Sequence, residues 1–144
     1  MYYLVYTSYT HFHIPEDELQ SLLETSVENN RKLGITGLML YSEKKFIQIL
    51  EGEKEVVTGL FEKIKKDSRH DHVTLLIEGT IQERNYPDWS MAFKSYSGSE
   101  LKKILGFSDI EEYFISHPLT DESHVSSVFM QLFFNRNHRS INQI

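Results

Sequence analysis

No cysteine occurs in this 144-residue chain. That absence excludes disulfides, thiolate nucleophiles and cysteine-based zinc sites together, and it fits a reducing, cytoplasmic setting. No apolar run approaches the roughly 18 residues a membrane span requires, so no membrane contact is expected. The opening stretch MYYLVYTSYT has no basic segment ahead of its apolar part, and no secretory signal is expected either. Positive charge is in deficit: 15 Lys and Arg stand against 21 Asp and Glu, a formal net charge of −6. An acidic balance argues against nucleic-acid binding by the surface as a whole and confines anion binding to a local patch. The one basic excess ahead of the C-terminal tail is KIKKDSRH, residues 63–70. Tryptophan is nearly absent, at one residue against eight tyrosines.

What is present reads as one α+β domain with an appended element. Hydrophobic content is 40% and charged content 25%, ordinary values for a globular chain large enough to bury a core. YYLVYTS (2–8) is β-branched and aromatic and reads as a strand. A helix follows from Pro15, with Glu16, Asp17 and Glu18 in its first turn and Gly34 at its end. ITGLMLYS (35–42) and KFIQILEG (45–52) read as a hairpin. KEVVTGLFEKIKKD (54–67) is an amphipathic helix, with Val56, Val57, Leu60, Phe61 and Ile64 on one stripe. HVTLLIEGTI (72–81) and WSMAFKS (89–95) complete a βαββαβ order plus a strand.

That order predicts a ferredoxin-like sandwich, one mixed sheet with two helices on one face. The strands are apolar on both sides, so the other face needs a cover. Three short helices, at 99–106, 109–115 and 121–134, supply it. The expected division is a sheet domain at 1–95 and a helical cap or extension at 96–144, with a polar tail from Asn135 onward that frays.

The stretch FIQILEG (46–52) carries an anomaly. Gln48 interrupts a buried apolar strand, and an unpartnered buried amide costs about 1–3 kcal/mol. Period-two alternation places Tyr2, Leu4 and Tyr6 on one face of the first strand and Tyr3 and Val5 on the other. In this fold the first and third strands are neighbours, so Tyr6 and Gln48 share a layer. On the first helix the inward stripe Leu19, Leu22, Leu23 and Leu33 also contains Ser26, Asn29 and Asn30. A tyrosine and several amides facing one gap describe either a self-satisfied polar network or a site for a planar heteroaromatic ligand. Lys63, Lys65, Lys66 and Arg69 at the end of the second helix are either dipole partners or contacts for a phosphate tail.

Other chemistries find less support. The His11/His13 and His70/His72 pairs have H-x-H spacing but no accompanying carboxylate or thiolate set, so no metal site is expected. No nucleophile elbow supports a hydrolase. An RNA-binding sheet would expose aromatics in basic surroundings, and an acylphosphatase-type loop would need an arginine that TSYTHFH lacks. The remaining alternative is a ligand-binding or oligomerising regulator.

Five stretches, LVYTS (4–8), ETSVENNRKLGITGLMLYS (24–42), FIQILEG, IKKDSRH (64–70) and ERNYPDWSMAF (83–93), lie in the order and spacing of a known family. Over residues 1 to about 95 the chain resembles a BLUF domain, a blue-light sensor that binds a flavin between its two helices. The resemblance implies FAD, with FMN as the alternative. It makes Tyr6 the redox-active tyrosine and Gln48 the amide bridging it to the flavin. Asn30 takes the contact to the carbonyl edge, Asn29 a neighbouring contact, and Ser26 a place beside the ring. Lys63, Asp67, Arg69 and His70 fall near the sugar and phosphate chain. Trp89 and Met91 match a mobile pair on the last strand, which exchange places beside the glutamine. The implied photocycle moves an electron and then a proton from Tyr6 by way of Gln48, which is left rotated or tautomerised until the dark state returns.

No enzymatic activity is implied. About 49 residues follow the fifth strand, too few for a cyclase or phosphodiesterase domain. Signalling to a separate, unidentified protein or through altered self-assembly, as a dimer or larger homo-oligomer, is the expected output. Phe133 and Phe134 are assigned to capping the sheet or to a subunit contact.

Overall fold

The computed structural model describes residues 1–11, 13–68 and 71–133. Among these the elements follow in the order β1 (Tyr2–Tyr9), α1 (Glu16–Leu33), β2 (Thr36–Ser42), β3 (Lys45–Gly52), α2 (Lys54–Lys66), β4 (Asp71–Thr80), β5 (Ala92–Tyr96), α3 (Gly98–Leu105), α4 (Ile110–Ser116) and α5 (Glu122–Phe133). The strands form one sheet in the order β4-β1-β3-β2-β5. All neighbours are antiparallel except β2 and β5, which run parallel. This is the mixed-sheet, ferredoxin-like α+β sandwich expected from the pattern. The C-terminal residues Phe134 and 135–144 lie outside the described residues.

Local chemistry sets the element ends. Pro15 stands at the start of α1 with φ −61, acids fill the first turn, and Arg31 and Lys32 fill the last. Each charge suits the helix dipole end it occupies. Gly34 closes the helix in the left-handed region, at φ 69, where a side chain would be strained. The β2–β3 turn places Glu43 and Lys44 both at positive φ, 46 and 69, which is the tight hairpin geometry that matches strand twist. Gly37 in β2 meets β3 so closely that a Cβ would lie 1.9 Å from the Ile49 carbonyl oxygen.

The sheet separates two cores, as the alternation requires. Tyr2, Leu4, Tyr6, Phe46 and Leu50 pack on one face with Leu19, Leu23 and Val27 of α1 and Val57 and Phe61 of α2. Tyr3, Val5, Ile47 and Ile49 pack on the other with Leu101, Ile110, Phe114, Val125, Val128, Phe129 and Leu132. The C-terminal helices therefore cover the second face. Lys45, at the start of β3, ties α4 to the sheet through Asp109 at 2.6 Å and Glu111 at 3.2 Å.

Two expectations are corrected. Leu33 is 43% exposed. The buried stripe of α1 is Leu19, Leu23, Val27 and Asn30, and Leu33 lies on its flank in the final turn. The fifth strand begins at Ala92, not Trp89, because its ladder with β2 starts at the Leu38–Ala92 pair. Regular alternation would put Trp89 and Met91 on one side of the sheet. Trp89 instead packs against the core under the C-terminal helices and Met91 against the core under α1 and α2. The backbone between them is not a regular strand.

Candidate functional site

Tyr6 and Gln48 are direct register partners across the β1–β3 ladder. Both are buried, at 1% and 4% exposure. The Tyr6 hydroxyl donates to Gln48 Oε1, and Gln48 Nε2 donates to Met91 Sδ at 3.4 Å. The amide is thus partnered at both ends, strongly by a phenol and weakly by a thioether. Burial pushes the Tyr6 phenol well above the ordinary tyrosine range. Its ring sits 5.4 Å from Phe61 of α2, tilted by 49°.

A cleft of about 170 Å³ opens between α1 and α2 with this pair in its floor. Ser26, Asn29 and Asn30 line it from α1, Lys63 and Asp67 from the end of α2, and Tyr6 and Gln48 from the sheet. Leu22, Met39, Leu60 and Ile64 supply apolar walls. Asn30 is 3% exposed, and its Nδ2 donates to the Ser90 carbonyl at 3.1 Å. Ser26 is half-buried, whereas Asn29 and Lys63 are exposed at the mouth. Closed pockets for drug-sized ligands exceed roughly 300 Å³. This cleft therefore suits a planar ring system with its tail outside, and apolar walls with amides at the edges are the donor set such a ring needs.

A larger cleft of about 280 Å³ lies on the opposite side of the sheet, near Tyr9, Lys45, His72 and Phe114. Its wall carries none of these amides, so chemistry favours the smaller one. Trp89 is outside the flavin-type cleft. It stacks on Tyr86 with ring centres 6.1 Å apart and planes at 8°, and Met91 is the side chain at Gln48. Arg69 and His70 lie outside the described residues. His11 and His72 both approach Asp71, at 3.4 and 3.2 Å, but among the described residues no group of three or more such side chains is placed to hold a metal.

Sequence reasoning missed Met39, the register partner of Gln48 on β2. It also missed Glu51, a fully buried carboxylate in the same FIQILEG stretch. The signal for Glu51 was the one that exposed Gln48, a polar side chain in an apolar strand.

The family described as sensors of blue-light using FAD matches residues 1–92. Photoactivated adenylate cyclase subunit beta from Euglena longa is 39% identical over 75 residues, 51% of this chain. The chain spans only 9% of that protein's length. The blue light- and temperature-regulated antirepressor BluF of Escherichia coli (strain K12) is 27% identical over 74 residues, again 51% of this chain and 18% of that protein. The BlsA ground-state structure superposes with a TM-score of 0.75 at 26% identity, covering 99% of this chain and 93% of that one. The likeness to BlsA extends through the C-terminal helices. With a family match over residues 1–92 and a cleft of the right chemistry beside Gln48, the chain belongs to the BLUF family of FAD-using blue-light sensors.

Proposed function

We propose that the light switch of this chain is the Tyr6–Gln48 pair and that its signal passes to a separate partner protein. The observation that carries this reading is the sealed Gln48 amide, with its oxygen on the Tyr6 proton and its nitrogen on the Met91 sulfur. A primary amide has one donor end and one acceptor end. Rotation would turn its NH2 toward the Tyr6 oxygen, which can accept, and its carbonyl oxygen toward the Met91 sulfur, which has no hydrogen to donate; tautomerisation would instead make the oxygen facing Tyr6 a hydroxyl donor. A sulfur is a weak acceptor, so only a weak bond is lost at that end, and the amide has two ways to fill one position. That is what a bistable element requires.

Ser26, Asn29, Asn30 and Gln48 would hold the flavin ring, and Lys63, Asp67, Arg69 and His70 are assigned to its sugar and phosphate chain. When bound, the flavin supplies blue-light absorption and accepts one electron. Tyr6 is an oxidisable phenol whose hydroxyl already points at Gln48 Oε1. Burial makes loss of its proton alone unfavourable, so electron and proton leave Tyr6 together or in close succession. Gln48 would relay that proton, accepting it at Oε1 and releasing one from Nε2 toward the flavin that takes the electron, and Met91 bounds its amide on the far side. Residues 1–95 act as the sensing unit and 96–144 as the cap through which output passes. No helix among the described residues is long and apolar enough to cross a membrane, and the proposed setting is the cytoplasm.

The test is the visible spectrum of the purified protein before and after blue light. A reversible red shift is expected, and it disappears in Gln48→Leu and Tyr6→Phe while flavin is retained. A normal photocycle in both variants would sink the assignment. A colourless protein that takes up no added flavin would return the reading to a non-photochemical regulator. Mass spectrometry of the extracted flavin separates FAD from FMN. Light and dark sizes by chromatography with scattering separate altered assembly from action on another protein.

A further inference from the structure

Glu51 is 0% exposed. Burying a carboxylate costs several kcal/mol unless hydrogen bonds replace its water. Here its Oε2 accepts from the Asn85 backbone N–H at 2.8 Å, and its Oε1 accepts from the Tyr86 N–H at 2.9 Å and the Thr36 hydroxyl at 3.4 Å. Two consecutive N–H groups of the β4–β5 connection thus end on one carboxylate. Arg84 closes the cluster. Its Nη1 donates to Thr36 Oγ1 and to the Glu51 carbonyl, both at 3.0 Å, and its Nη2 to the Gly34 carbonyl at 2.6 Å.

What this turn positions is the segment facing the switch. Tyr86, held by its N–H, stacks on Trp89. The Trp89 carbonyl accepts from Gly37 N at 3.0 Å. One residue on, Ser90 O accepts from Asn30, and the next side chain, Met91, meets Gln48. The Asn85 side chain reaches the other way, donating to Glu122 at the start of α5 at 3.0 Å.

We propose that Glu51 is a positioning residue for the switch: its carboxylate fixes the Asn85–Tyr86 turn, so that Tyr86 keeps Trp89 on the face of the C-terminal helices and Met91 stays against Gln48. A neutral amide cannot replace it. Glutamine at 51 is nearly isosteric, but its NH2 would confront one of the two N–H donors. The turn would lose one charge-assisted bond and gain a donor–donor clash.

The proposal rests on the reading of Gln48 as the switching amide. Both readouts are therefore taken in the dark on the flavin-loaded full chain, where they fail independently of that reading. The first is hydrogen exchange at the Asn85 and Tyr86 amides. In the unmodified protein both are protected, although Asn85 is an exposed loop residue. In Glu51→Gln the exchange of at least one of them accelerates by about tenfold or more, the loss expected for a hydrogen bond to a charged acceptor. The second is the emission of Trp89, the sole tryptophan of the chain, which changes in position or intensity in Glu51→Gln as the Tyr86 stack loosens. Unprotected Asn85 and Tyr86 amides in the unmodified protein overturn the proposal, and they do so even if Glu51→Gln fails to fold. A folded Glu51→Gln with unchanged exchange and unchanged Trp89 emission overturns it as well.

Discussion

Replacing Gly37 by alanine tests whether the switch depends on how closely β2 approaches β3. A Cβ at position 37 would lie 1.9 Å from the Ile49 carbonyl oxygen and 2.9 Å from its carbon. Both are backbone atoms of the strand that carries Gln48, so no side chain can rotate away. Reaching even the 3.0 Å limit for a real Cβ requires 1.1 Å of separation, the difference between 3.0 and 1.9. A shift of that size stretches the hydrogen bonds around the Gly37–Leu50 pair beyond useful length. It also moves the Gly37 N–H off the Trp89 carbonyl. Two or three lost backbone bonds plus overpacking amount to roughly 3 kcal/mol or more. For a domain of this size that is a fall in Tm of roughly 6–12 °C. Gly59→Ala is the control, because nothing lies within 4 Å of its added Cβ, on the exposed face of α2. A mid-helix glycine replaced by alanine should gain up to about 1 kcal/mol. Urea unfolding of both variants, with flavin content measured alongside, reads the contrast. A Gly37→Ala protein within about 0.5 kcal/mol of the parent, with full flavin content, would refute the close-approach argument.

The remaining predictions concern charge. Burial opposes ionisation of Asp109, yet hydrogen bonds from Lys45 and the Glu112 N–H hold its carboxyl below the usual range. Burial likewise opposes the charge on Lys45, but Asp109 and Glu111 keep its pKa above the ordinary value. The clasp on α4 therefore contributes stability between the unfolded Asp and Lys values, about pH 4 to 10. It is lost as pH falls through the lowered Asp109 value or rises through the raised Lys45 value. Lys45→Met should cost about 1 kcal/mol within that window and nothing below it, as measured by urea midpoints across pH; a pH-independent effect would assign the loss to packing instead. Lys94 is buried in β5, and burial pushes its pKa down, with no partner among the described residues. The stem of Lys94 lies in the core, and its ammonium is not among the buried polar atoms left without a partner, which places the charged end near solvent. Lys94→Met should stabilise by about 0.5–2 kcal/mol at neutral pH, with the gain shrinking as pH rises through the lowered Lys94 value toward the ordinary lysine value; a destabilised variant would show that the ammonium is productively held.

The central pair was legible because a strand has a fixed period. Alternation grouped Tyr6 with Tyr2 and Leu4 and Gln48 with Phe46 and Leu50, adjacency of the first and third strands put the pair in one layer, and the structure sets that face under the helices. The helical period placed Ser26, Asn29 and Asn30 toward the same gap, and all three line it. Their roles toward the flavin came from family resemblance, not from spacing. What escaped the sequence has no period. Glu51 is satisfied by backbone N–H groups 34 and 35 residues further on, in an irregular connection whose path no side-chain pattern encodes. The same irregularity sends Trp89 and Met91 to opposite sides of the sheet. Leu33 failed for a smaller reason, as a residue on the flank of its helical stripe.

The strand β3 buries two polar side chains, Gln48 and Glu51. Even positions Phe46, Gln48 and Leu50 face α1 and α2, and odd positions Ile47, Ile49 and Glu51 face the other way. The strand thus carries one buried polar side chain toward each face, three residues apart. Gln48 meets the cleft and, through Met91, the end of the β4–β5 connection, whereas Glu51 holds that connection near its start. Both ends of residues 85–91 are therefore fixed to a single strand. On the proposed switch, a rearranged Gln48 amide changes the weak Met91 contact at one end while the Glu51 bonds hold the other. The change expected from that switch therefore falls between Tyr86 and Met91, where Trp89 lies against the core of the C-terminal helices. Freeing the anchor at Glu51 would remove that constraint. The light-induced change in Trp89 emission should then shrink in Glu51→Gln even where the red shift at the flavin persists. Equal shrinkage of both signals would instead locate the effect of Glu51 at Gln48 itself.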